Sequence, residues 1–318
     1  MKVLVSGATG LVGRHLVPEL LAAGHHVRAF LRPGREKALR NPDLTPYSGP
    51  PVEIATGDLK DFGSFAAALQ GVQAVIHLGA LPPTAPEEEM KAVNIYGTRE
   101  LMLAAKKAHV RRVLHFSSAE CSDNLVYSVF RDTKKASEKP VRGNNLEWTV
   151  FRPAPIYGPG DDRNVGPWLR KIAAGERFDI PGDGKVKVAP VHAADVAKAV
   201  KNTLEYGMAV DAVYHLAGPA VGYDEMLTTL GEIAGRAPKI RHFSLGLAQT
   251  WNSIQDLFAR TPARKLALST RRNDIRYFIR DHVYPTDDAA KQVGFSARPF
   301  AQGVKEACAG GWWKNGAA

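Results

Sequence analysis

In the first half of the chain, apolar residues fall in short unbroken runs. The runs are "KVLVSG" (2–7), "HVRAFL" (26–31), "VEIATG" (52–57), "AVIHLG" (74–79), "RVLHFSS" (112–118) and "EWTVFRP" (147–153). Most are rich in β-branched residues, and all end in or just before a Gly, Ser or Pro turn, which predicts strands. Between them lie amphipathic stretches, such as Leu11 to Ala23 and Glu87 to Ala108, which predict helices. Strands that are apolar almost throughout and alternate with helices predict a parallel sheet covered on both faces. After Gly158 the rhythm changes. The turns "GPGDD" (158–162) and "PGDGK" (181–185) flank a helix near Pro167–Ala174, and "DVAKAVKNTLE" (195–205) reads as an amphipathic helix. "AVYHLAG" (212–218) reads as one more strand of the main sheet, and from Tyr223 onward the pattern is mostly helical. The expected organisation is a dinucleotide-binding domain over 1–160, rejoined by 190–218, with a smaller C-terminal substrate lobe over 161–318.

Composition narrows this picture only in places. Cys121 and Cys308 are the only cysteines, so neither a disulfide framework nor a thiolate cluster is available, and no metal is expected. No run approaches the roughly 20 apolar residues of a membrane span. Met1 leads directly into a strand without a charged n-region or long apolar h-region, so a cytoplasmic protein is expected. The net charge is +10, and Arg260 to Asp281 holds seven Arg/Lys against two Asp, interleaved with Leu266, Leu268, Ile275, Tyr277, Phe278 and Ile279. That segment reads either as a solvated helical face or as a surface for an anionic or membrane-associated partner. No nucleic-acid-binding module accompanies it, which argues against RNA or DNA.

The chemistry begins at "SGATGLVG" (6–13), which follows the first strand at once and opens a helix. Gly7, Gly10 and Gly13 allow a tight turn, close approach of a pyrophosphate and close helix–strand packing. Further motifs are "GDLKD" (57–61), "VIHLGA" (75–80), "VNIYGT" (93–98), "FRPAPIYGPGDD" (151–162) and "PVHAADVAKAV" (190–200). Together these resemble the extended branch of the short-chain dehydrogenase/reductase superfamily, the group of nucleotide-sugar epimerases and dehydratases. The resemblance implies an α/β fold of Rossmann type, a doubly wound parallel sheet with a smaller, mostly helical C-terminal lobe. It also implies a nicotinamide dinucleotide held by Gly7, Thr9, Gly10, Leu11, Val12 and Gly13, by Asp58 and Leu59, by Leu78, Gly79 and Ala80, and by Asn94, Ser117, Lys134, Pro153 and Ile156. The family's acid for the ribose 2′-hydroxyl should fall at position 31, where Leu31 stands, followed by Arg32. An Arg accommodates a 2′-phosphate, so NADP(H) is favoured over NAD(H).

The same resemblance calls for a Ser or Thr after the fifth strand and a Tyr-x-x-x-Lys helix. The Lys lowers the Tyr pKa and binds ribose while the Tyr moves a proton. Here Ala119 stands at the hydroxyl position, with Ser117 and Ser118 just before it, and "FRDTKKASE" places Phe130 at the Tyr and keeps Lys134. The candidate catalytic groups are therefore Lys134 with a displaced hydroxyl, either Ser118 or Tyr127. Tyr127 precedes Phe130 by three positions and would share its face on one helix. This paired loss looks most like the atypical branch that holds the nucleotide-binding accessory subunit of respiratory complex I, where NADPH binding persists and dehydrogenase chemistry is degenerate or absent. Three classes stay open: an NADP(H)-dependent oxidoreductase or epimerase-like enzyme acting on an unidentified small molecule, a catalytically silent NADPH-binding module of a larger assembly, and a lipid or nucleic-acid binder on a vestigial fold. The first is favoured. A homodimer through helices near 90–108 and 127–141 is the family habit.

Overall fold

The computed structural model describes residues 1–40, 52–123, 128–207, 209–246 and 275–314. Its first half alternates β1 (Lys2–Ser6), α1 (Leu11–Ala22), β2 (His26–Leu31), β3 (Glu53–Thr56), α2 (Ser64–Ala68) and β4 (Ala74–His77). It continues through α3 (Glu87–Met90), a π-helical turn over Lys91–Gly97, α4 (Thr98–Lys107), β5 (Arg112–Phe116), α5 (Val129–Arg142) and β6 (Glu147–Pro153). Every pairing in the main sheet is parallel, because β-branched residues buried on both faces need helices above and below them. The strand order is β3-β2-β1-β4-β5-β6-β11, with β11 (Ala212–Leu216) returning beside β6 from the second half. The pattern-based reading of a doubly wound parallel sheet therefore holds, including the strand at 212–218.

One face of the sheet buries Leu16, Val17 and Leu20 of α1 against Val196 and Val200 of α7 (Ala193–Glu205). The other face buries Phe65, Leu101, Met102 and Val141 from α2, α4 and α5. A separate cluster fills the second lobe. There Leu169 of α6 (Val165–Ala173) packs with Leu227 and Leu230 of α8 (Tyr223–Ala234) and with Phe300 and Val304 near the C-terminus.

Two elements depart from the sequence pattern. The helix expected over 87–108 is broken into α, π and α turns, and a Cβ on Gly97 would lie 2.6 Å from the Leu59 carbonyl. The extra residue of the π turn lets the helix pass this close contact. The region after Tyr223 is also less helical than expected. β8 (Arg177–Pro181) pairs in parallel with β13 (Lys239–Phe243), and the short pairs β7 (Ile156–Tyr157) with β10 (Val191–His192) and β9 (Lys187–Val188) with β12 (Val221–Gly222) complete the lobe. "KIRHF" is mostly exposed, and its partner lies far back in the chain, so no local periodicity announces it.

Of the basic segment, residues 260–274 lie outside the described residues. Ile275–Phe278 forms a single 3₁₀ turn, and Phe278 sits 4.9 Å, ring centre to ring centre, from Tyr223. Lys187 N–H donates to Asp281 at 2.8 Å, and His282 N–H donates to the Lys187 carbonyl at 2.7 Å. Arg280 is ion-paired with Asp123 in the turn after β5, so this cation is committed within the chain.

The C-terminal helices α9 (Asp287–Val293) and α10 (Phe300–Cys308) are tied back to α7 by one buried carboxylate. Asp195, in the first turn of α7, accepts from Arg298 N–H at 3.0 Å and from its guanidinium at 3.0 and 2.6 Å. Removing the carboxylate leaves a partly buried guanidinium with Glu306 as its remaining partner. Asp195→Ala is expected to cost about 2 kcal/mol of stability, with Asp195→Asn recovering part of it, as urea or thermal unfolding would show.

Candidate functional site

The carboxyl ends of β1 and β4 meet where the sheet order reverses direction, the usual crevice of a doubly wound fold. Gly7 takes φ +74, and a Cβ on it would lie 2.8 Å from Gly79 N. On Gly13 a Cβ would meet the Gly7 and Ala8 carbonyls at 2.5 Å. Gly10 caps α1 without a side-chain hydrogen bond, and no acid stands in the first turn, so the amides from Leu11 and Val12 onward face an open turn lined by Thr9. This is a cradle for an anion that any side chain would fill. Leu78, Gly79 and Ala80 run beside it, with Leu78 N–H donating to the Ser6 carbonyl at 3.1 Å. Leu59 Cδ1 would be 3.0 Å from a Cβ on Gly79. Asp58 accepts from Lys60 N–H at 2.8 Å and shapes the turn after β3. Leu31 is buried at the end of β2, whereas the next side chain, Arg32, is exposed and makes no hydrogen bond or ion pair with the described residues.

Beneath this cradle runs a buried chain of polar groups. Ser6 Oγ lies 2.6 Å from His77 Nδ1, and His77 Nε2 lies 2.8 Å from Thr98 Oγ1. Thr98 donates to the Asn94 carbonyl at 2.7 Å, and the Asn94 amide donates to Thr133 Oγ1 on α5 at 3.1 Å. Asn94 Oδ1 also accepts from Leu81 N–H at 2.8 Å, so its amide braces the loop after β4 against α5. His115 stacks on His77 at 5.3 Å, and its Nε2 lies 2.9 Å from Ser137 Oγ. Burial, and next the nearby Lys134 charge, hold His77 down to about 3 and push His115 well below its ordinary value. Both rings are therefore neutral at physiological pH. Lys134 is 3% exposed and has no ion-pair partner among the described residues, and burial lowers its pKa to about 8, with Cys121 and Glu138 opposing. The sequence pattern missed His77, Thr98 and His115 as members of this chain; the available signal was a polar residue at or near the end of each of three buried strands.

At the junction of β5 and α5, Ser117 is buried and donates to Glu138 Oε1 at 2.6 Å. Glu138 is also paired with Arg142 and with Arg152, the latter at 2.8 Å, and these bonds hold its carboxyl below the usual carboxylate range despite burial. Ser118 Oγ accepts from Glu120 N–H at 3.4 Å and caps the 3₁₀ turn Ala119–Ser122. Ala119 is buried, and Phe130 is half-buried with its carbonyl accepting from Thr133 Oγ1 at 2.8 Å. Tyr127 lies outside the described residues. α5 starts at Val129 with Ser128 as its cap. Pro153 is buried at the end of β6, and Ile156 pairs with Val191 beyond it. Among the described residues no group of three or more His, Cys, Asp or Glu side chains could hold a metal ion.

The glycine cradle and the uncapped helix fit a phosphate, and Lys134 is a buried cation on α5. Farther out, a cavity of about 690 Å³ opens in the second lobe, walled in part by Val186, Phe243, Leu245, Phe278 and Ile279.

Residues 3–209 match the model of the NAD dependent epimerase/dehydratase family. Sterol demethylase protein B of Methylococcus capsulatus is 38% identical over an alignment of 207 residues, with 57% of this chain and 60% of that protein covered. The ceramide reductase of Caulobacter vibrioides is 32% identical over 195 residues, 61% of this chain and 58% of that enzyme. Human sterol-4-alpha-carboxylate 3-dehydrogenase, decarboxylating, is 28% identical over 203 residues, 57% of this chain and 51% of the enzyme. The chain thus spans 60% or less of the length of these three relatives. Among solved structures, gox2253 superposes with a TM-score of 0.81 at 26% identity, covering 98% of this chain and 97% of that one. MoeE5 in complex with UDP-glucose and NAD gives 0.72 at 26% identity, with 99% of each chain covered.

The buried Lys134 carries a definite cost. Its pKa falls from 10.5 to about 8 on folding, so below about pH 8 it is charged in both states and the full penalty of burying the charge applies. As pH rises from about 8 to 10.5, the folded chain has released a proton that the unfolded chain still binds, and the penalty fades. Lys134→Met is expected to raise apoprotein stability by about 3 kcal/mol at neutral pH while weakening nucleotide binding. The gain should shrink in unfolding curves taken at increasing pH.

Proposed function

From the premise that the chain belongs to the NAD dependent epimerase/dehydratase family, we propose that it is an NADP(H)-dependent oxidoreductase acting on a hydroxyl or keto group of an apolar, lipid-like molecule. The observation that carries this reading is the pairing of an open glycine cradle with the buried Lys134. A protein with no use for the nucleotide gains nothing from a buried ammonium that has no ion-pair partner among the described residues. The bound nicotinamide would supply or accept the hydride. Gly7, Gly10 and Gly13 would let the backbone reach the pyrophosphate, Arg32 would meet a 2′-phosphate, and Lys134 would hold the ribose. The names of the sterol and ceramide relatives support the substrate class. A cytoplasmic location accords with two unpaired buried cysteines.

Ala119 and Phe130 favour a second reading, a silent NADPH-binding module, because they remove both side-chain oxygens that the family places beside the reacting carbon. The two readings separate on turnover. The purified protein is expected to oxidise bound NADPH when offered 3-oxosteroids or keto-sphingolipids, followed by nicotinamide absorbance. Stoichiometric NADPH that none of these acceptors oxidises, nor aldehydes, quinones or nucleotide sugars, would establish the silent module instead.

Arg32 tests the cofactor. Arg32→Ala is expected to weaken NADPH binding by about tenfold or more and to leave NADH binding nearly unchanged, as fluorescence titration would show. Equal losses for the two nucleotides would defeat the assignment to NADP(H).

A further inference from the structure

Two successive side chains of α1, the helix that follows the glycine cradle, reach across to the second lobe. The Arg14 guanidinium donates to the Gly160 carbonyl at 3.3 Å, and the next ring, His15, lies 5.9 Å, centre to centre, from His192. His192 is 5% exposed, pairs in register with Tyr157 across β10 and β7, and meets the Tyr157 ring edge to face at 5.3 Å. Its Nδ1 accepts from Ala194 N–H at 3.1 Å and so caps α7. A ring nitrogen that accepts carries no proton, which puts the His192 proton on Nε2. That N–H is buried without a hydrogen-bond partner among the described residues, and so is His15 Nε2. Both nitrogens face one small space beside Gly158. The point where a Cβ would stand on Gly158 lies 3.4 Å from His15 Nε2, 3.7 Å from His192 Nε2 and 3.3 Å from the Ala193 methyl.

We propose that this space binds one structural water molecule, which joins the cradle helix to the start of α7. The water accepts from His192 Nε2–H and donates to His15 Nε2, whose own ring proton then sits on Nδ1. A buried donor left without an acceptor is costly, and an ordered water is the usual remedy where two polar groups converge. A metal ion does not suit the place, because the His192 nitrogen that faces it carries a proton, and no group of three His, Cys, Asp or Glu side chains forms a metal site among the described residues. An anion suits it no better. Arg14 is bonded to the Gly160 carbonyl, and Arg298 is held between Asp195 and Glu306. Burial holds both imidazoles down to about 4, so neither brings a positive charge at physiological pH. One imidazole therefore serves two elements, capping α7 with Nδ1 and holding the water with Nε2. The bonded path begins at His15, two positions beyond Gly13. It continues through the first turn of α7, where Asp195 holds Arg298. Gly158 keeps the space open, since a side chain there would fill it.

The full chain without nucleotide carries the test. Long-range ¹H–¹⁵N spectra at neutral pH should show His192 protonated on Nε2 and His15 on Nδ1. The His192 Nε2–H should exchange slowly with solvent and give a cross-peak to a long-lived water. Crystals should show one water within hydrogen-bonding distance of both nitrogens, and a bromide soak should leave no anomalous peak there. His15→Phe keeps a ring and removes the nitrogen, so both the cross-peak and the water should be lost, and His15→Gln should recover the water. Gly158→Ala should displace it by filling the space. Direct bonding between the two imidazoles, bromide at the site, or a dry contact in the wild-type crystal would overturn the proposal. A water cross-peak unchanged in His15→Phe would overturn it as well. None of these readings depends on turnover, so the oxidoreductase reading stands or falls separately.

Discussion

The structure depends on the absence of side chains where β1 and β4 end. Gly7 and Gly79 approach until the space for one Cβ is gone, and Gly13 is pressed in the same way against the turn that precedes it. These contacts draw the first helix down onto the sheet and leave its leading amides uncapped at the point where the sheet order reverses. Everything nearby is arranged around that constraint. The Ser6–His77–Thr98–Asn94–Thr133 chain pins the strand ends to the π turn and to α5, and so fixes where Lys134 lies relative to the cradle. His77 and His115 stay neutral beside the buried ammonium of Lys134.

Much of this was legible in the sequence because its physics is local. Runs of β-branched residues between amphipathic stretches identify strands buried on both faces, and all seven expected strands join the sheet. Glycines spaced by three between a strand and a helix identify the cradle. β13 and its pairing with β8 were not legible, since "KIRHF" has no apolar alternation and takes its strand character from a partner far back in the chain. The π turn was equally silent, because its cause is the approach of Leu59 to Gly97 across the fold.

Ala119, Phe130 and Lys134 could be counted off from their neighbours in the sequence, while the partners of each polar group could not; the bond from the Asn94 amide to Thr133 is one such partner. Which carboxyl is paired with arginine depends on a partner from β6, so no spacing rule separates Glu120 from Glu138. Ser117 shows the reverse case. It is a hydroxyl in a suitable place whose hydrogen bond is already committed to Glu138.

The packing of α1 against α7 has a consequence for how the chain matures. The apolar stripe of α1, with Leu16, Val17 and Leu20, is covered by Val196 and Val200, about 180 positions later in the chain. During synthesis the glycine turn leaves the ribosome well before α7, and its helix stays uncovered until α7 has followed it out. Six of the seven sheet strands precede α7 in the chain, so the nascent protein passes through a stage with a nearly finished sheet and one bare flank. Chaperone engagement, or early capture of the dinucleotide, would act on that exposed helix.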